Sequence, residues 1–358
     1  HKITRIRINQ KLKPYCMDII LNEFGLFLGR KGNRFVIRSD TDKHEIVSDE
    51  VNHIRFLNKG NSISVSALSL AMEKNIFVSF ANMRDFPYGF LVPATISGTV
   101  LGKREQYAAY NDSRGVELAK KFVLGKSNNQ KNLLRLIRKN RKTDSFLLDK
   151  LDNHINVIST YVEQLSNIDA NSTEQIRMDI LNIEALISKE YWGGIQTMIP
   201  AEFGFHGRKK PNAKDTINAL LNFGYKAILF VECWKAILYA GMDPYAGFLH
   251  SDRSGKPSLA LDFMEEFRQH VVDRVVFSVV NRKQIKPMDS NYVNPKNKGV
   301  LNDESIKILV EEINTQFGCN VKHNNKQMTM RQVIQYQANS IVRFLRGTST
   351  YKSFELSW

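Results

Sequence analysis

Gly241–Arg268 reads GMDPYAGFLHSDRSGKPSLALDFMEEFR, and the rest of the chain is organised around this stretch. An apolar run closes on His250, and a short Ser/Asp/Gly/Pro turn then redirects the chain. That turn chemistry predicts a fresh amphipathic helix over Ser258–Arg268. On such a helix Asp262, Glu265 and Glu266 stand at i, i+3 and i+4, so three carboxylates share one face beside an apolar stripe of Leu259, Phe263 and Phe267. A solvated acidic face would account for the carboxylates alone, and a core or cap residue for the histidine. Their large apolar neighbours, and a turn that can fold the histidine back, favour a cation site instead. Carboxylates with one imidazole suit Mg²⁺ or Mn²⁺, whereas structural zinc would want more Cys and His.

Across 358 residues the formal net charge is +15 and the pI is near 9.6, which points to a polyanionic partner, nucleic acid before a membrane surface. The charge is uneven: residues 101–142 hold twelve Lys/Arg against three Asp/Glu, a balance of +9. A metallohydrolase of small substrates sits badly with that segment. Hydrophobic residues make up 42%, enough for two domains with sizeable cores. Cys16, Cys233 and Cys319 are odd in number and far apart, which argues against a disulfide framework and a cysteine zinc site and fits a cytoplasmic setting. No export signal and no membrane span are expected.

Up to about residue 90 the hydrophobic pattern has period two, beginning at Ile3, Ile6 and Ile8. GLFLGRKGNRFVIR reads as a hairpin around Arg30–Arg34, and ISVSALSLAMEKNIFVSFAN as strand, short helix, strand. Residues 91–103, with Pro93 and two glycines, read as a linker, and from 104 to 358 the pattern is helical. The expected fold class is therefore α+β, a β-rich N-terminal domain over 1–90 followed by a larger all-helical domain. In QKNLLRLIRKNRK, Gln130–Lys142, a helix can bury its leucines and turn Arg135, Arg138 and Lys139 toward phosphates. Glu184 is a candidate acid on a mostly buried helix. In HGRKKPNAKDTINALLNFGY, His206–Tyr225, Asp215 is expected to cap a helix, and Arg208, Lys209 and Lys210 before it are candidates for clamping DNA phosphates.

DPYAGFLH followed by SLALDFMEEFR resembles the signature of the CRISPR-associated endonuclease/integrase family, "Cas one" in words, which inserts new spacers into CRISPR arrays. IEALISKEYW, Ile183–Trp192, resembles the family's upstream glutamate motif, departing from it at Ala185, Leu186 and Ile187 where small residues are commoner. The basic-Pro run and NALL of residues 208–225 match as well, and weaker likeness covers nearly the whole chain. The resemblance implies that Glu184, His250 and Glu265 are catalytic metal ligands, with Asp262 and Glu266 as near neighbours or an extra ligand. It implies transesterification by a free DNA 3′-hydroxyl, a homodimer joined through the β-rich part, and a small partner, "Cas two" in words. Casposon transposases share these motifs but tend to carry a further DNA-binding helical module. A non-catalytic DNA-binding scaffold would show the same charge, so metal-dependent chemistry is what separates the readings.

Overall fold

In the computed structural model the described residues are 17–81, 87–94, 100–140, 145–168, 172–209, 214–251, 253–288, 293 and 300–356. The expected first strand around Ile3–Ile8 lies outside them. The chain divides into two compact units, His1–Ile96 and Ser97–Trp358.

The first unit is strand-rich. β1 (Met17–Leu21), β5 (Val51–Phe56), β7 (Phe77–Phe80) and β8 (Gly89–Leu91) form one sheet in that order, parallel except for β8. A second sheet runs β4 (Lys43–Val47), β3 (Arg34–Arg38), β2 (Phe27–Lys31), β6 (Ser62–Ile63). The expected hairpin is β2–β3. Lys31 pairs with Arg34 across a two-residue turn in which Gly32 supplies φ +59°. The expected strand, short helix, strand is β6, α1 (Val65–Glu73, N-capped by Ser64) and β7. Leu28, Phe35, Ile54, Leu70 and Val78 come from both sheets and α1 into one buried cluster.

The second unit is helical. α2 (Val100–Ala109) begins inside the stretch expected as linker. α3 (Ser113–Asn140), α4 (Ser145–Asn167) and α5 (Thr173–Gln196) pack mutually as three long helices. α6 (Thr216–Phe223), capped by Asp215 as expected, continues through a π-helical segment, Gly224–Leu229, into α7 (Phe230–Tyr239). α8 (Ser258–Met264), a second π segment (Gln269–Asp273) and α9 (Arg274–Asn281) follow. α10 (Asp303–Gly318) and α11 (Met330–Leu345) flank a hairpin of β9 (Asn320–His323) and β10 (Lys326–Thr329), so the helical unit also contains strands. Asn324 and Asn325, both at positive φ, make that turn.

After α11 the chain runs extended along α3 as a strap, residues 351–356. Tyr351 and Phe354 are buried, and Asn129 of α3 bonds the backbone of Phe354 and Leu356. The strap crosses α3 at Gly125, where a Cβ would lie 2.7 Å from Ser353 Cβ and 3.1 Å from Glu266 Cγ. Gly125→Val is therefore expected to lift the strap and cost about 1–3 kcal/mol, measured as a lowered denaturant midpoint with lost hydrogen-exchange protection at the Phe354 and Leu356 amides.

Candidate active site

A cleft within the helical unit borders the candidate site; Glu184 lines it, while His250 and Glu265 are not in its lining. It has a volume of about 910 Å³, and its walls include Lys126 of α3, Glu184 of α5, Arg208, Tyr225, Arg268 and Gln269.

The acidic stretch does not fold as the single helix expected over Ser258–Arg268. α8 stops at Met264, the chain tightens into i→i+3 turns (Glu265 N to Asp262 O, Phe267 N to Met264 O), then widens into the π segment. This rotates the carboxylates off a common face, and each meets different partners. Asp262 is fully buried: Oδ2 accepts the backbone N–H groups of Phe248 (2.7 Å) and Leu249 (2.8 Å), and Oδ1 accepts that of His250 (3.1 Å). The same Oδ1 lies 2.5 Å from His250 Nδ1. With both oxygens occupied, Asp262 anchors His250, as expected of a near neighbour of the ligands. It fixes the tautomer that carries hydrogen on Nδ1, leaving His250 Nε2 as the free donor atom. Gly247 permits this approach, since a Cβ there would fall 2.7 Å from Asp262 Oδ2.

Glu266 is engaged elsewhere. It accepts bonds from Tyr351 Oη, Gln337 Nε2 (3.1 Å) and Phe354 N (2.8 Å), and burial pushes its carboxyl up to about 7 against those bonds.

Glu265 remains with Glu184. Lys126 Nζ bonds Glu184 Oε1 and lies 2.9 Å from Glu265 Oε2, while Arg268 Nη2 lies 2.9 Å from Glu265 Oε1. Glu265 Oε2 is buried, and its contact with Lys126 is an ion pair by distance whose angle makes no hydrogen bond. Burial would raise the Glu265 carboxyl, but Arg268, then Lys126 and His250, outweigh it and hold the group down at about 2. Lys126 is raised, because Glu184 and Glu265 overcome the desolvation that opposes its charge.

Two carboxylates and an imidazole are a donor set that fits a hard divalent ion. The under-satisfied Glu265 oxygen and the ammonium between the two carboxylates mark where positive charge is held. Among the described residues, the ligand atoms of Glu184, His250 and Glu265 do not all lie within 4.8 Å of one another, so an ion there would have to draw them together.

The basic candidates divide. Arg135 and Lys139 are exposed on α3, but Arg138 is paired with Asp152 of α4. Arg208, a candidate phosphate clamp, is anchored in place. Its guanidinium bonds Asn218 Oδ1 (2.8 Å) and Asn222 Oδ1 (2.6 Å) and sits over the Tyr225 ring. Lys209 is exposed, and Lys210 lies outside the described residues.

Several site residues escaped the sequence reading. Arg268 stacks on Tyr225 (4.8 Å), and Gln130 and Gln269, both buried against the cleft, have Gln130 Oε1 and both Gln269 side-chain polar atoms without a hydrogen-bond partner. Lys126 carried a legible signal: it falls on the apolar stripe of α3 with Ala119, Phe122, Val123 and Leu133. Beneath the cleft, Asp273 accepts from Tyr191 Oη (2.7 Å) and Tyr225 Oη.

Comparison with known proteins identifies the class. The family described as CRISPR associated protein Cas1 matches residues 19–315. The CRISPR-associated endonuclease Cas1 1 of Archaeoglobus fulgidus is 35% identical over 350 residues, 96% of this chain and all of that one. Among solved structures, a casposase bound to integration product has a TM-score of 0.75 at 23% identity, covering 94% of this chain and 93% of that one. A chain of a Cas6-RT-Cas1–Cas2 complex has a TM-score of 0.73 at 16% identity, covering 96% of this chain and 37% of that one. These two likenesses concern the fold. The chain belongs to the Cas1 family of CRISPR-associated endonucleases and integrases, and the casposon and scaffold readings are not favoured. Among the described residues no helix is long and apolar enough to cross a membrane.

Asp273 supplies a check on the buried network. Burial raises its carboxyl from 3.8 to about 6 despite both tyrosine bonds and Arg268 and Arg208. A raised carboxyl binds its proton in the folded chain after the unfolded chain has released it, so its contribution to stability is present below about pH 3.8 and is lost as pH rises through about 6. Asp273→Asn is expected to flatten the pH dependence of Tm between those values, as measured by thermal unfolding.

Proposed function

We propose that this chain is a Mg²⁺- or Mn²⁺-dependent DNA endonuclease/integrase of CRISPR adaptation that joins the 3′-OH ends of spacer DNA into the CRISPR array by transesterification. Glu184, His250 and Glu265 are the ligands in this reading. The observation that carries it is the meeting of Glu184 and Glu265, 81 positions apart in the chain, around one buried ammonium at a cleft wall. His250, whose Nε2 is left free by Asp262, supplies the nitrogen.

A divalent ion held there supplies Lewis-acid stabilisation of charge on the phosphodiester and the leaving oxygen. The chain's own residues do the rest. Asp262 keeps the His250 ring in one tautomer. Arg268 and Arg208, stacked on the Tyr225 ring, present cationic edges to a phosphate in the cleft. Gln269 offers its unpartnered amide, and Gln130 its unpartnered Oε1 as an acceptor, to the same substrate. The attacking group is the DNA 3′-hydroxyl, so no covalent protein nucleophile is required.

Double-stranded DNA is the partner favoured by the charge of +15 and by the exposed Arg135 and Lys139 on α3. A small Cas2 partner is supported by the Cas6-RT-Cas1–Cas2 complex, one chain of which shares this fold. We further propose a homodimer joined through the strand-rich unit and a cytoplasmic setting.

The test is strand transfer of a labelled short duplex into supercoiled plasmid with Mn²⁺ or with EDTA. Joined product should require metal, and His250→Ala or Glu265→Ala should lower joining by about 10²-fold or more while duplex binding persists. Joining by folded Glu265→Ala at the parent rate would defeat the site assignment. In binding assays at varied salt, Arg135→Ala and Lys139→Ala should each reduce the log–log salt slope by about 1. Arg138→Ala should change it less, because Arg138 is already paired with Asp152.

A further inference from the structure

Among the described residues Lys126 is the cation in contact with both proposed carboxylate ligands, and nothing in the reaction described above uses it. Its side chain is 7% exposed, lies on the buried stripe of α3, and ends between Glu184 Oε1 and Glu265 Oε2. A lysine in such a position is desolvated, and those two carboxylates support its charge against that burial.

The two cations on Glu265 differ in kind. Arg268 is three residues along the same turn, planar, and stacked on the Tyr225 ring, so it is fixed to Oε1. Lys126 is a point charge on a flexible four-carbon stem, and its side chain lines the cleft. An ammonium and a hard divalent ion compete for the same carboxylate oxygens and repel one another there. The fixed cation can stay while the mobile one yields its place.

We infer that Lys126 is an exchangeable counter-ion of the metal centre: its ammonium holds Glu184 and Glu265 paired until a divalent ion displaces it into the cleft, so that Lys126 sets the ion concentration at which the centre forms. This rests on the metal reading above. It explains how Glu184 and the buried Glu265 can stand together before any ion is bound, since each has the ammonium as partner. It also requires the centre to form at a higher free ion concentration than the donor set alone would demand.

The test uses Mn²⁺ alone, added to the chelator-treated full chain without DNA, with free Mn²⁺ followed by electron paramagnetic resonance. Parent, Lys126→Met, Lys126→Gln and Glu265→Ala are compared. Lys126→Met is expected to bind Mn²⁺ about tenfold more tightly than the parent or better, and to gain more in Tm on adding Mn²⁺. Lys126→Gln removes the charge but can still donate hydrogen bonds to the carboxylates. It serves if the methionine variant fails to fold without metal, and the same tightening is expected of it. If Mn²⁺ binding is lost in Glu265→Ala but no tighter in the folded Lys126 variant, the counter-ion role is overturned and the metal site stands. If the parent binds no Mn²⁺, or Glu265→Ala binds it as the parent does, the metal reading falls and the counter-ion role with it.

Discussion

Two carboxylates and two cations, each at most 15% exposed, meet where α3, α5 and the turn after α8 come together, and that charge cluster constrains the helical unit around it. Removing Lys126 or Glu265 takes a partner from two others at once, and a buried charge left unpaired costs far more than the pair contributes in stability. Three segments distant in sequence must therefore be held in fixed relation. The close approaches at Gly125, where the strap crosses α3, and at Gly247, against Asp262, are part of how they are held. The cluster is balanced in charge but not in mobility: one cation is stacked and planar, the other ends a flexible stem.

Two π-helical segments face each other beneath the cleft. Gly224 in the first packs so closely on Val272 in the second that a Cβ would lie 2.6 Å from its Cγ1. Tyr225 stands in the first of these widened turns, Arg268 immediately precedes the second, and Gln269 opens it. Asp273, also in the second, receives both tyrosine hydroxyls from below. Widened helical turns often mark functional positions, because they re-aim side chains that a regular helix would bury or expose elsewhere. Here they carry Tyr225 and Gln269 to the cleft wall.

This region is also the hardest to read from sequence. Period-two and period-3.6 patterning makes the order of a strand-rich then a helical region legible, with the β2–β3 hairpin and the Asp215 cap, because those features depend on local chemistry. The Asn324–Asn325 turn is equally local, but its two short strands are hidden between two long helical patterns. The placement of the carboxylates is not local. Spacing i, i+3, i+4 puts Asp262, Glu265 and Glu266 on one face only if the helix is regular, and the turn after Met264 abolishes that regularity. Partners for each acid come from elsewhere: backbone amides at 248–250, Lys126 on α3, and Tyr351 with Gln337 toward the C-terminal end. The likeness to a known family points to Glu184, His250 and Glu265, but not to Lys126 or the unsatisfied glutamines.

The strap has a consequence for when the site can be ordered. Glu266, next to Glu265, finds its hydroxyl and amide partners 85 and 88 residues further along, at Tyr351 and Phe354. Contacts of such separation close late, because the intervening loop entropy is lost before they form. A growing chain that has passed Glu265 but not yet Phe354 has its acids in hand without the packing that orders the turn bearing them. The packing that orders the acid-bearing turn is thereby supplied by a segment that is synthesised after the acids themselves.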